Sequence, residues 1–184
     1  LNVKAVEYIV DACEKHRTFL CHLSTDFIFD GEAGPYNEED LPNPISVYGE
    51  SKLKAEKIIQ ASSIRWAIAR TVLVFGIVPD MSRTNIILWV KKSLEEGKEI
   101  NVVTDQFRTP TLAEDLAIGC WLIVQKEAEG IFNISGEELL TPYEMAIKTA
   151  EFYHLSKDLI KPADSSNFSQ PAKRPPRTGF ILTK

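Results

Sequence analysis

Apolar positions along the chain alternate between helical spacing and short strand-like runs. Val3, Val6, Ile9, Val10 and Cys13 recur at the spacing of one helix face. The apolar run Phe19-Leu20-Cys21-His22-Leu23 ends in Ser24 and Thr25, which predicts a buried strand closing on small hydroxyls. Pro42 and Pro44 bar an early helix start, and a helix is predicted over residues 48–61, continued by Leu53, Glu56, Ile58 and Ile59. A strand is expected from Arg65 through Thr71 and on through Val72, Leu73 and Val74, ending at Phe75-Gly76. Met81 to Arg83 read as a loop. An amphipathic helix over 85–96 follows, with Gly97 as its C-terminal cap.

The second half continues the alternation. Ile100 to Val103 reads as a short strand, and Thr111 with Glu114 matches a capping box opening a helix through Leu116, Trp121 and Val124. Residues 130–135 are strand-like. Thr141-Pro142-Tyr143-Glu144 starts another helix with proline at its first position. Residues 161–173 turn to Pro, Ser, Asp and Asn and read as a loop. Strands alternating with helices predict an α/β fold around a parallel sheet.

Within this frame, Tyr48 and Lys52 carry the chemistry. Four residues apart on a helix, they lie one above the other on the same face. An ammonium there favours a phenolate and lowers a phenol pKa that is ordinarily ~10, so the tyrosine can exchange a proton with a carbonyl or hydroxyl near neutral pH. A hydroxyl from Ser24 or Thr25, at the strand end, could hold that oxygen. Tyr-x-x-x-Lys alone is weak, since both residues are common on amphipathic helices; the strand-end hydroxyls and the proline-delayed helix make the arrangement specific.

Those motifs resemble the extended short-chain dehydrogenase/reductase family. Ser24-Thr25-Asp26-Phe27-Ile28-Phe29-Asp30-Gly31 and Pro44-Ile45-Ser46-Val47-Tyr48-Gly49-Glu50-Ser51-Lys52 are similar to the branch containing dTDP-4-dehydrorhamnose reductase. Arg70 to Gly76, Asp105-Gln106-Phe107-Arg108-Thr109-Pro110-Thr111, Asp115-Leu116-Ala117 and Arg174-Pro175 follow in that branch's order. The resemblance implies the C-terminal portion of an NAD(P)-binding, Rossmann-like doubly wound sheet plus a small substrate-binding subdomain. Residues 1–76 would form the catalytic half and 77–184 mainly the substrate-binding region, with 111–126 packing back on the sheet. No G-x-x-G-x-x-G or G-x-G-x-x-G is present, so the chain is expected to be a fragment that carries the catalytic and substrate-binding portion without the family's N-terminal nucleotide-binding part, an inactive remnant being the blander alternative.

The resemblance also implies roles. Tyr48 would protonate a carbonyl oxygen as hydride reaches carbon, Lys52 would tune Tyr48 and hold the nicotinamide ribose, and Thr25 would hydrogen-bond the same oxygen, with Ser24 as its stand-in. Leu73 and Val74 would line the nicotinamide of NADP or NAD. Asn85, Gln106, Thr109, Arg174 and Arg177 would contact a nucleotide-linked 4-keto-6-deoxy sugar, the arginines being well shaped for a diphosphate. Asp26 is expected to order its loop by capping backbone amides. Two departures blur the substrate: Leu73 stands where the branch usually has Trp, and Arg108 where it more often has Gly, which could favour a more acidic ligand.

Rival readings come from the same superfamily. Asp26 is followed by Phe27 rather than the Glu a dehydratase would place there. An epimerase shares Tyr/Lys but usually has a different strand motif. A non-catalytic binding subunit resembling the regulatory subunit of methionine adenosyltransferase is the main alternative, because a fold does not fix a function.

Composition narrows the partners. A formal net charge of −5 over 184 residues, with no basic stripe, argues against nucleic acid. No apolar run is long enough for a membrane span, no signal peptide is apparent, and a cytoplasmic location is expected. Cys13, Cys21 and Cys120 have no paired spacing and are expected buried and reduced; His16, His22 and His154 are scattered, so no metal is expected. A homodimer is compatible with the resemblance.

Overall fold

Three parallel strands organise the first layer of the protein. The computed structural model describes residues 1–77, 84–168 and 172–184. The chain runs through α1 (Lys4–His16), β1 (Leu20–Thr25), α2 (Val47–Gln60), β2 (Trp66–Thr71) and β3 (Val74–Phe75). It continues through α3 (Ile86–Glu95), β4 (Ile100–Val103), β5 (Thr111–Leu112), α4 (Ala113–Gln125), β6 (Gly130–Ile134), α5 (Pro142–Phe152) and β7 (Ile160–Ala163). The main sheet has the order β1-β2-β6, all parallel, with Cys21 opposite Ala67 and Ala69 opposite Phe132.

Helices cover both faces of this sheet, as the apolar character of its strands requires. Val6 and Val10, one turn apart on α1, meet Ala55 and Ile59 of α2 over Ile68 of β2. On the opposite face Ile123 and Cys120 of α4 pack on Ala67, Ala69, Phe132 and Ile134. Gly119 permits that approach, since a Cβ there would lie 2.8 Å from the Ile134 side chain. A second core joins α3 and α5 to the parallel pair β4–β7 through Val90, Leu94, Val102, Ala146, Ala150 and Ile160.

Four local expectations are corrected. The strand after Arg65 does not run unbroken to Val74: Leu73 takes a left-handed backbone (φ 37°), and β3 leaves to pair with β5 instead. Thr111 does not cap α4. It is buried in β5, where its hydroxyl donates to the Val72 carbonyl (2.7 Å), and Leu112 occupies the cap position without a side-chain bond. Residues 161–163 are strand rather than loop, because their backbone pairs with β4. The three cysteines are half-buried rather than fully buried. The expected loop over Met81 to Arg83 lies outside the described residues. Among those described, no helix is long and apolar enough to cross a membrane.

Candidate active site

The carboxyl end of β1 turns directly into the site. Thr25 caps a short 3-10 turn at Asp26–Ile28, its Oγ1 accepting from the Phe27 N–H (3.2 Å) and donating to Asp26 Oδ1 (3.1 Å). Helix α2 begins just opposite, capped by Ser46, whose Oγ accepts from the Gly49 N–H (3.1 Å). Gly49 lets the helix reach this turn: a Cβ there would come within 2.1 Å of the Phe27 carbonyl oxygen. That close approach sets Tyr48 beside Phe27, the two rings edge to face with centroids 6.0 Å apart.

A cavity of about 340 Å³ opens at this junction, lined by Thr25, Asp26, Phe27, Tyr48 and Leu73. Ile86, Gln106, Arg108, Pro142 and Arg174 complete the lining. Tyr48 stands half exposed there and Gln106 is buried. A larger, more apolar cavity of about 470 Å³ between β3, α3 and α5 contains none of the Tyr/Lys chemistry. The smaller cavity is therefore the better candidate site.

Five of the sequence-predicted residues meet in the cavity lining: Thr25, Tyr48, Leu73, Gln106 and Arg174. The others lie around it. Lys52 directs its ammonium to the Leu23 carbonyl (2.5 Å) and stands 3.4 Å from His22 Nε2. Ser24 Oγ is buried with no hydrogen-bond partner among the described residues. Val74 is exposed on β3. Asn85 caps α3 by accepting from the Leu88 N–H (3.0 Å) while its amide donates to the Gly76 carbonyl (2.7 Å). Thr109 is buried, donating to Ser135 Oγ (2.9 Å) and accepting from the Phe180 N–H (3.3 Å). Arg177 lays its guanidinium over the Phe107 ring, 5.4 Å from the centroid.

Phe27, Ile86 and Pro142 line the cavity without having been singled out as site residues. Their sequence signals are only positional: Phe27 follows the Thr25-Asp26 pair, Ile86 follows a helix cap, and Pro142 opens α5. Asp26 also departs from expectation. Beyond its own backbone amide, its carboxylate accepts from the Thr178 hydroxyl and faces Arg108 Nε at 3.8 Å. Burial raises its pKa, against the lowering effect of Thr178 and Arg108.

Charge around Lys52 is shaped by burial. Desolvation pulls the ammonium below the ordinary lysine range, opposed by Glu56 one turn along. Burial, with the Lys52 charge second, pushes His22 down to about 4, so near pH 7 it is a neutral imidazole beside the ammonium. An unfolded histidine titrates near ~6.5. Between that value and about 4 the unfolded chain binds the extra proton, so this contribution to stability falls as pH drops through the window. The urea midpoint of the wild-type protein is expected to fall relative to that of His22→Asn as pH is lowered from 6.5 toward 4. A difference that stays flat with pH would contradict a neutral His22 in the fold.

A parallel sheet with helices on both faces, and a Tyr/Lys helix at the carboxyl end of its edge strand, defines a Rossmann-like protein of the extended short-chain dehydrogenase/reductase type. The RmlD substrate binding domain family matches residues 1–184, and the chain belongs to that family. Methionine adenosyltransferase 2 subunit beta of Bos taurus is 32% identical over 171 residues, covering 90% of this chain and 51% of that protein. dTDP-4-dehydrorhamnose reductase of Aggregatibacter actinomycetemcomitans is 30% identical over 196 residues, covering 100% of this chain and 65% of that protein. The solved dTDP-4-dehydrorhamnose reductase of Bacillus anthracis, in complex with NADP, superposes with a TM-score of 0.92 at 24% identity, over 100% of this chain and 64% of its own, a likeness of fold. The chain thus spans about half the length of the curated methionine adenosyltransferase subunits it matches.

Proposed function

We propose that this chain forms the catalytic and substrate-binding part of an NAD(P)H-dependent reductase of a nucleotide-linked 4-keto-6-deoxy sugar. The observation that carries the reading is the convergence of Tyr48 and Arg174 on one cavity beside Thr25. An acid for a carbonyl oxygen and a cation for a diphosphate then face the same ligand, one from each end of the chain.

Several residues fit the nicotinamide end of a dinucleotide. Ser24 Oγ, without a hydrogen-bond partner among the described residues, would offer a polar contact, Lys52 at the end of β1 would hold the ribose hydroxyls, and Leu73 and Val74 present exposed apolar surface for a ring. No glycine-rich phosphate turn occurs in the sequence, so the pyrophosphate end would be held elsewhere. Once bound, the cofactor supplies hydride to the carbonyl carbon. Tyr48 gives its phenolic proton to the carbonyl oxygen, completing the alcohol. Lys52 stabilises the resulting phenolate by its charge until the proton is replaced. Arg174, exposed on the far wall, pairs with the diphosphate in forked geometry. Residues 1–76 would carry the proton chemistry and 77–184 most of the sugar contacts.

A second reading has its own support. The bovine relative is named as a subunit of methionine adenosyltransferase, and the Thr25 hydroxyl gives its proton to Asp26 rather than to the cavity. On that reading the chain is a binding partner rather than a catalyst. The test is NADPH oxidation dependent on a dTDP-4-keto-6-deoxy sugar, using the protein expressed from its full natural reading frame, beside a pull-down with a methionine adenosyltransferase catalytic subunit. Sugar-dependent oxidation is expected. Capture of the catalytic subunit with no oxidation would overturn the reductase reading.

A further inference from the structure

Arg174, in the lining of the cavity that holds Tyr48, begins a strap over residues 174–181 that is laced to distant parts of the chain. The Phe107 N–H donates to the Pro176 carbonyl (2.8 Å) and the Thr178 N–H returns to the Phe107 carbonyl (3.1 Å). The Tyr36 N–H donates to Gly179 (2.9 Å), and the Ile181 N–H to Tyr36 (2.9 Å). Beside the first of these lacings sits Arg108, only 5% exposed. Its Nη2 donates to the Pro175 carbonyl (2.7 Å), and its Nη1 to the Phe107 carbonyl (2.6 Å), with Pro176 at 3.4 Å. Its Nε faces Asp26, which in turn holds the Thr178 hydroxyl.

The same guanidinium lies over the Phe27 ring, 5.6 Å from the centroid, and the Tyr48 ring packs against that ring. One buried side chain therefore touches both the strap that begins with Arg174 and the ring that Tyr48 leans on. The geometry does not match the expectation that Arg108 offers a free charge to an acidic ligand. Five donors in a fixed fork suit a cluster of carbonyls and one carboxylate, and the carbonyls of Phe107 and Pro175 are where two of them go.

We propose that Arg108 is a positioning residue of the nucleotide-sugar site, stapling the Arg174 strap to the Phe27–Tyr48 pair so that the phosphate-binding and proton-donating walls keep a fixed spacing. The inference rests on the nucleotide-sugar reading of this cavity. Charge agrees with it: Arg108 is pulled down chiefly by burial, opposed by Asp26, with the nearby Arg174 adding to the depression, so the two guanidinia feel one another across the wall. A glycine at this position would leave the Pro175 carbonyl without that donor and Asp26 without its cation. A lysine would keep the charge opposite Asp26 but could not fork to two carbonyls.

The test combines a ligand readout with one that needs no ligand. dTDP is titrated calorimetrically into wild-type protein, Arg108→Gly and Arg108→Lys, all expressed from the full natural reading frame. The fluorine resonance of 3-fluorotyrosine at Tyr48, assigned by its loss in Tyr48→Phe, is followed in the same proteins and in Phe27→Leu. Arg108→Gly is expected to weaken dTDP about tenfold, the scale of losing charged hydrogen bonds, and to move the Tyr48 resonance. Phe27→Leu should move the same resonance, because it removes the ring that links the two. Arg108→Lys should fall between wild type and glycine, and it carries the test if the glycine variant does not fold. An unmoved Tyr48 resonance in the arginine variants would overturn the staple. If that resonance moves but wild-type protein binds no dTDP, the staple stands and the nucleotide-sugar reading falls.

Discussion

Replacing Tyr48 by phenylalanine is expected to lower the turnover of the proposed reductase by about 10²–10⁴, the range a positioned general acid contributes. The substitution is a clean one in this site. Tyr48 is half exposed, and its ring meets Phe27 edge to face, a contact phenylalanine reproduces. Helix α2 owes its start to Ser46 and Gly49 rather than to the phenol. Fold and melting temperature should therefore stay close to wild type, and KM for the nucleotide sugar should move little if Arg174 rather than Tyr48 carries ground-state binding. Steady-state kinetics of NADPH oxidation separates these quantities. A Tyr48→Phe variant that keeps full turnover would place the proton donor elsewhere.

Glu56→Gln is expected to cost about 3–5 kcal/mol of stability, because it breaks a buried ion pair and leaves the cation without its counter-charge. Arg70 and Glu56 are 2% and 0% exposed, joined by two hydrogen bonds at 3.2 and 2.8 Å. Arg70 also donates to the Glu38 carbonyl (3.2 Å) and lies over the Phe29 ring at 5.5 Å, so it cannot swing out to water without undoing the strand-to-loop packing. Thermal melts should show a fall of roughly 10 °C. The double variant Glu56→Leu with Arg70→Met should regain much of the loss, since apolar replacement of a whole buried pair is often neutral. If the single and double variants melt alike, the cost comes from packing rather than from the stranded charge. Because Glu56 also faces Lys52 along α2, the single variant should reduce activity beyond its effect on folding.

Much of the fold was legible because its signals are local. Val6 and Val10 mark a helix face, the two prolines before Ser46 delay α2, and Thr141 with Glu144 forms the capping box that opens α5. The same logic failed where a distant group competed. Thr111 and Glu114 have capping-box spacing, yet the Val72 carbonyl, 39 residues away, takes the Thr111 hydroxyl. Val72-Leu73-Val74 reads as an uninterrupted strand, and nothing in those side chains announces a left-handed backbone at Leu73. The site divided along the same line. Tyr48 and Thr25 came from short motifs, Leu73, Gln106 and Arg174 came from ordered resemblance, and the structure gathers all five into one cavity. The surroundings of Arg108 could not be read, because its partners include backbone carbonyls of residues 67 and 68 positions further on, and a carbonyl has no signature in sequence.

The bond between Asp26 and Thr178 spans 152 residues. Closing so long a loop adds little entropy beyond that of a loop half its length, but it dictates timing. A ribosome releases about 5–20 residues each second, so many seconds separate the emergence of β1 from that of Thr178. Once residue 134 is made, the sheet β1-β2-β6 and its covering helices have all their residues, while Pro142 and Arg174 of the cavity lining are still to come. A nascent chain paused before Thr178 would hold every residue of the cavity lining but not the hydroxyl that ties Asp26 to the strap, and the site would be fixed only as the final lacing is drawn through.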